Sequence, residues 1–417
     1  MAENPSGKFL TMAGSPPEDA KFFWTGGPVE VAERTWFASS LSGVTAFETD
    51  DGLVLVDTGA VSFAPDLSKR IREATDKPVH TAIYTHGHVD HAFGLSHFLV
   101  AGQRAPTVIG HSAMLDRFNR YGHTSGLNRA VNARQFQGVA DAGLGGVVFE
   151  APSILPDTLY DESLTVEVGG VTFELHHARG ETDDHTWVYC RDRGVLCPGD
   201  LIIWGVPNAG NPQKVQRYPW EWAAALRSMA ALSPRSMCPG HGGPVIDDAD
   251  LVLRILVETA DYLDAVVART LAALDAGGPP HVDIVREVEL PQTDSPWLQP
   301  VYDEGEFIVR NVIRFYGGWY SGRPSELKPP PRAALAAEVV ALAGGTGSLL
   351  SRAESAGDLR VACSLADYAL ESSPDDADVR ERVAAIYETR AESETSLMAI
   401  NIFRSAAAYA REGRAYR

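Results

Sequence analysis

The chain has 417 residues, 45% of them hydrophobic, and a formal net charge of −19. That length leaves room for two or three domains with sizeable cores, and the acidic balance argues against nucleic acid or an anionic membrane surface as a partner. No apolar run approaches the ~20 residues that span a bilayer, no basic start followed by an apolar stretch marks a secretory signal, and Cys190, Cys197, Cys238 and Cys363 fit neither a zinc knuckle nor a disulfide framework. The thiols therefore read as reduced and the protein as cytoplasmic.

Residues 1–24, rich in Pro, Gly and charge, read as an N-terminal arm. From Val29 the pattern turns to strands. Thr45–Thr49 and Leu53–Asp57 flank Asp50-Asp51-Gly52, a hairpin signal. Ala64–Thr75 is expected to be helical and Val79–Tyr84 a strand. A strand-and-turn series runs from Val147 to Leu201, with Thr165–Glu174 folding about Gly169-Gly170 and Trp187–Cys190 pairing with Val195–Cys197 about Asp192-Arg193-Gly194. Trp220–Leu232 follows as a helix and Met237-Cys238 as a short strand. Hairpins first and strand-helix-strand next predict an α+β sheet sandwich with helices outside, over residues 25–278. Ala276-Gly-Gly-Pro-Pro280 punctuates the chain, and residues 279–417 read as an all-α domain. Its expected helices are Arg332–Ala343, Leu349–Ala356, Asp358–Glu371, Asp375–Arg390 and Glu394–Arg411. Asp358–Glu392 resembles a single tetratricopeptide-type helix pair, with no further copies at that period.

The densest chemistry is Tyr84–Gly94. His86, His88, Asp90 and His91 lie within six positions, on the loop leaving an apolar strand. Alternation sends His86, His88 and Asp90 one way, and His91 begins a turn. Few structural roles need so many imidazoles and a carboxylate together, so the cluster reads as part of a two-metal hydrolytic site. Two adjacent cations each need about three protein donors and a shared bridge. Three further strand-end loops can supply them, with Glu181 in Arg179-Gly180-Glu181-Thr182, Asp200 in Pro198-Gly199-Asp200, and His241 in Gly240-His241-Gly242.

Together with Asp57-Thr58-Gly59, these motifs and their order resemble the metallo-β-lactamase superfamily, over Val29 to about Leu274. The resemblance implies an αβ/βα sandwich with two divalent metals, usually zinc. It implies His86 and His88 on the first metal, Asp90 and His91 on the second, Asp200 bridging, and His241 completing the second. Most of the superfamily has a histidine where this chain has Glu181. Alkyl sulfatases are similar to it in carrying a glutamate there, at the same nineteen-residue spacing to the bridging carboxylate. Phe307–Pro324 is similar to the segment opening the alkyl sulfatase dimerisation domain, which implies a homodimer through the C-terminal helical region. The long leader and the sterol-carrier-like domain usual in those enzymes are not expected here.

With Asp90, Glu181, Asp200 and a bridging hydroxide, two divalent cations give a neutral site, whereas a histidine at 181 would leave one positive charge. A neutral dry cleft favours a monoanionic sulfate ester over a phosphate dianion. The expected activity is hydrolysis of an alkyl sulfate or related monoanionic ester by the bridging hydroxide, oriented by Asp90 and Asp200. A carboxylic ester, lactone or thioester is the alternative substrate, and a non-catalytic dimeric binding protein is disfavoured by the intact donor set. His185 is a candidate catalytic proton donor, substrate contact or substitute ligand. Asn208, Lys214 and Arg217, with Arg134, are candidate contacts to the anionic substrate, and His123 a candidate cleft residue. Trp204, Trp220 and Trp222 are candidates for an apolar channel.

Overall fold

The computed structural model describes residues 25–136, 151–277, 281–414 and 416; the expected arm at 1–24 lies outside the described residues. The chain divides into two compact units. The first takes in Met1–Arg129, Gly143–Gly278 and Ile284–Gly318; the second takes in Ala130–Ala142, Pro279–Asp283 and Trp319–Arg417.

The first unit is built on two sheets. One has seven strands in sequence order: β1 (Gly26–Ala32), β2 (Thr35–Ser39), β3 (Gly43–Glu48), β4 (Leu53–Val56), β5 (Val79–Ile83), β6 (Thr107–His111) and β7 (Thr158–Tyr160). It is antiparallel from β1 to β4 and parallel from β4 to β7. The other has five strands, β8 (Ser163–Val168), β9 (Val171–His177), β10 (Thr186–Cys190), β11 (Val195–Gly199) and β12 (Ser236–Pro239), with β11 and β12 parallel.

Strands covered on both faces read as continuous apolar runs, and the alternation within each run assigns its faces. Val54 and Val56 of β4 and Val188 and Cys190 of β10 meet between the sheets, with Phe37, Phe47, Phe173 and Leu175. Leu53 and Leu55 turn outward to pack with Leu67 and Ile71 of α1 (Ala64–Ala74) and Met114 and Phe118 of α3 (Ala113–Gln135); between these helices lies the short α2 (Val89–Ala92). Trp187 and Tyr189 turn outward on the second sheet, against Trp222 and Leu226 of α4 (Pro219–Ala231) and Leu256 and Leu263 of α5 (Ala249–Asp275). The result is the expected four-layer order of helix, sheet, sheet, helix.

After α5 come α6 (His281–Glu287) and α7 (Gly305–Gly317). Ile308, Val309, Val312 and Ile313 of α7 are buried in the same core as α4 and α5. The first unit takes in α7 because the apolar face of that helix is spent on the sandwich.

The second unit contains α8 (Arg332–Leu342), α9 (Thr346–Glu354), α10 (Leu359–Ser372), α11 (Ala377–Glu392) and α12 (Leu397–Arg411). Leu349, Leu350, Ala366, Val383, Ala384 and Ala407 lie in its core. Asp358, Asp376 and Ser396 cap α10, α11 and α12 by accepting first-turn amides, contacts worth about 1 kcal/mol each. Among the described residues, no single helix is long and apolar enough to cross a membrane.

Candidate metal centre

The donors stand where strands end. The chain leaving β5 carries His86 and His88, and α2 follows at once with Asp90 and His91. Glu181 lies between β9 and β10, Asp200 directly after β11, and His241 two residues beyond β12. A Cβ on Gly240 would lie 2.1 Å from Asp200 Oδ1, so glycine alone lets the His241 loop close on Asp200.

These loops bring seven side chains into two groups, His86, His88, Glu181 and Asp200 in one and Asp90, His91 and His241 in the other. Glu181 Oε2 lies 3.4 Å from His86 Nε2 and 3.2 Å from His88 Nδ1. Asp200 stands between the groups, Oδ2 at 3.7 Å from His86 Nε2 and 3.3 Å from His241 Nε2, Oδ1 at 3.1 Å from His91 Nε2. Asp90 Oδ2 lies 3.5 Å from His241 Nε2 and 3.7 Å from His91 Nε2. His91 Nε2, Glu181 Oε2 and Asp200 Oδ1 are buried without a hydrogen-bond partner. Such groups are costly unless something else satisfies them. Nitrogen and carboxylate donors in this number, converging on a shared carboxylate, fit two divalent transition-metal ions.

The remaining atoms of the donors are tied down. Asp57 Oδ2 accepts from His91 Nδ1 at 2.8 Å and from the Thr85 hydroxyl at 2.8 Å, and Thr85 Oγ1 lies 3.0 Å from His86 Nδ1. His241 Nδ1 donates to the Leu41 carbonyl at 2.6 Å. Partners of this kind orient a ligating histidine and select its tautomer. Glu181 Oε1 accepts from Asn208 Nδ2 and pairs with Arg217 Nη1 at 3.2 Å, while Arg217 also donates to the Glu181 carbonyl. Asp184 accepts the Gly87 amide at 2.9 Å and Arg117 Nε at 2.8 Å, fixing the turn between His86 and His88.

The electrostatics match this arrangement. Burial opposes charge on His241, yet Asp200 outweighs it and pushes the imidazole up to about 9. His91 behaves alike: burial opposes its charge, but Asp200, Asp57 and Asp90 together raise it well above the usual histidine range. Glu181 stays well below the carboxylate range despite burial, through Arg217 and His88, and Asp200 through His241 and His91. His88 is pushed down to about 4 by burial. The carboxylates create a strongly negative potential at His91 and His241, a setting that suits bound cations.

The other sequence candidates fall elsewhere. Asn208 and Arg217, the expected substrate contacts, are buried and hold Glu181. His185, expected to take part in the chemistry, is fully buried; its Nε2 accepts the Asp200 amide at 3.1 Å and its ring stacks on His86 at 4.9 Å. With Nε2 engaged it braces the Asp200 loop, and its Nδ1 is buried without a hydrogen-bond partner. His123 is exposed on α3. Arg134 belongs to the second unit, its guanidinium 5.2 Å over the Tyr416 ring. Lys214 is half-buried, and burial together with Arg217 pushes it down to about 8 against the pull of Glu181 and Asp90. Trp204 and Trp222 are core residues whose indoles donate to Gly243 and Leu201 carbonyls. Arg117, Asp184 and Thr85 were not singled out from the sequence. A buried arginine has no signature until its carboxylate, 67 positions away, is placed beside it.

Two back-to-back sheets between helices, with strand-end loops converging on one shared carboxylate, define a dinuclear metal-site sandwich. Residues 42–241 match the model of the metallo-beta-lactamase superfamily, and residues 281–413 match that of the alkyl sulfatase dimerisation domain. The chain thus carries a metallo-beta-lactamase domain followed by an alkyl sulfatase dimerisation domain. It is 29% identical over 352 residues to the linear primary-alkylsulfatase of Pseudomonas sp. (strain ATCC 19151), covering 79% of this chain and 66% of that one. It is 26% identical over 374 residues to an (R)-specific secondary-alkylsulfatase of Pseudomonas sp, covering 81% of this chain and 55% of that one. The structure of the stereoselective inverting sec-alkylsulfatase Pisa1 from Pseudomonas sp. superposes with a TM-score of 0.82 at 22% identity, over 93% of this chain and 66% of that one, and shows the shared fold. The chain thus spans less than two thirds of the length of these relatives.

Proposed function

We propose that the protein is a dinuclear metal-dependent hydrolase of sulfate monoesters, with alkyl sulfates as its substrate class and two Zn(2+), or other divalent transition metals, as its cofactors. The observation that carries this reading is Glu181, an anionic donor where most of the superfamily has a histidine, clamped by Asn208 and Arg217 within reach of His86 and His88. Metals held by the two donor groups would supply a water that is nucleophilic at neutral pH and stabilise charge on the ester oxygens.

The protein's own residues do the rest. Asp200 and Asp90 would orient an incoming water through their carboxylate oxygens. Asp57, Thr85, Leu41 and His185 keep the donors from turning away. Lys214 is the cation we retain for the sulfate group, because it is half-buried and faces the field of Glu181 and Asp90. A monoanion suits a site in which three carboxylates offset most of the charge of two cations. Homology with named alkylsulfatases over most of this chain supports the assignment. The dimerisation domain supports a homodimer as the working form, with a small molecule as the other partner. Cys190, Cys197, Cys238 and Cys363, all unpaired, support a reducing, cytoplasmic setting.

The test is turnover of matched sulfate, phosphate, carboxylic ester, lactone and thioester substrates by zinc-loaded protein. A kcat/KM for alkyl sulfate well above the others is expected. Faster turnover of a carboxylic ester, lactone or thioester would replace the sulfatase reading while keeping the site.

A further inference from the structure

Between β11 and α4 the chain runs from Asp200 to Tyr218 without regular structure, and residues 201–211 are buried. A buried irregular segment must find partners for its own amides and carbonyls, and a loop this long in a compact unit is ordinarily functional. The partners come from α7 and the residues just before it. Gln299 O accepts from Val206 N at 3.0 Å, and Asp303 Oδ2 accepts from Gly210 N at 2.7 Å. Asn311 Nδ2 donates to the Arg217 carbonyl at 3.0 Å, and Asn311 Oδ1 accepts from Arg217 N at 3.4 Å and Gln216 Nε2 at 3.0 Å. A Cβ on Gly210 would lie 2.3 Å from the Ile308 nitrogen, so the segment is pressed onto the helix backbone. The two residues that clamp Glu181, Asn208 and Arg217, lie on this fastened strap.

We propose that Asp303 and Asn311 are positioning residues for the metal centre, acting through the strap on Glu181. Both lie in the segment that matches the dimerisation domain, outside the residues 42–241 that match the metallo-beta-lactamase model. The donor set is thus held in register by a helix from beyond the sandwich sequence. Asp303 is fully buried and satisfies two amides, those of Gly210 and Glu304. An asparagine there keeps the shape but turns an NH2 toward one of two N–H groups. Asn311 uses both ends of its amide on the strap, and alanine removes both.

The inference rests on the seven donors being a metal site and not on which ester is cleaved, so it is read out by metal affinity. Zn(2+) dissociation constants of the full chain are measured by competition with a chromophoric chelator, and the visible spectrum is recorded with Co(2+). Asn311→Ala and Asp303→Asn are each expected to weaken Zn(2+) binding about tenfold or more, the range found when groups behind metal ligands are removed, and to alter the Co(2+) spectrum. Arg310→Ala, at an exposed position on the same helix, is expected to match the wild type. Melting curves of the metal-free proteins identify the folded variants; should the alanine variant not fold, the isosteric asparagine variant decides. Wild-type affinity and spectrum in the folded variants overturns the proposal. A wild-type chain that binds no Zn(2+) overturns the metal reading itself, a separate outcome.

Discussion

Replacing Arg117 with methionine tests how the ligand loop is held. Arg117 is 3% exposed and Asp184 is fully buried, with Arg117 Nε 2.8 Å from Asp184 Oδ1. Asp184 in turn accepts the Gly87 amide between His86 and His88. Methionine roughly conserves the volume but leaves the Asp184 charge buried with backbone and hydroxyl donors alone. Breaking one partner of such a pair costs about 3–5 kcal/mol, a large share of the ~5–15 kcal/mol that holds a typical domain together. The contact of Arg117 with the more exposed Asp183 adds about 1 kcal/mol at most. Urea unfolding in excess chelator removes any stabilisation by bound metal, and the fluorescence change on unfolding reports the first unit, where the buried Trp187, Trp204, Trp222 and Trp297 lie, Trp319 of the second unit being exposed already. Because the charge left behind causes the loss, Arg117→Met with Asp184→Asn should be less destabilised than the sum of the single variants by about 2 kcal/mol or more. A single-variant loss below about 1 kcal/mol, or strict additivity, refutes the reasoning.

Further outcomes follow from the same geometry. Glu181→His should shift the ratio of phosphate to sulfate turnover upward by roughly tenfold, since it removes one negative charge and also leaves Arg217 without its carboxylate; an unchanged ratio would remove the charge argument. Chelation of the metal-loaded protein should abolish turnover and lower the melting midpoint of the first unit, and both should return with Zn(2+). Asp303, faced by Glu304, Arg217 and Tyr262, is raised by burial to about 7. Burial outweighs the Gly210 and Glu304 amides, which favour the carboxylate, so its contribution is complete below the unfolded carboxylate pKa and is lost as pH rises through about 7. The stability of the wild type relative to Asp303→Asn should therefore fall between pH 4 and pH 8 in urea titrations; a constant difference would contradict the burial argument. Lys214→Met should raise KM for an alkyl sulfate several-fold at pH 7 with Zn(2+) affinity unchanged; an unaltered KM would remove Lys214 from the substrate site.

Much of the first unit was legible because its information is local. Strand periodicity, the Asp50-Asp51-Gly52 and Gly169-Gly170 turns, and the His86–His91 cluster need only short stretches of chain, and β3–β4 and β8–β9 pair about those turns. Glu181, Asp200 and His241 stand out as candidates because each lies in a loop that follows a strand and sits beside a glycine. What stayed hidden depends on partners distant in sequence. Asn208 and Arg217 look like free polar groups until Glu181 is placed beside them, and His185 looks like a spare imidazole until the Asp200 amide occupies its Nε2. The packing of α7 was hidden for a related reason: its apolar stripe is amphipathic in any setting, and only the structure shows that α4 and α5 claim it.

The placement of α7 has a consequence for ancestry and for engineering. A sandwich cut at residue 241 or 278 would bare the apolar surface that Ile308, Val309, Val312 and Ile313 cover. The two halves of this polypeptide are therefore not interchangeable cassettes. Any recombination that exchanged the tail for another partner would have to bring a matching helix with it, or retain this one.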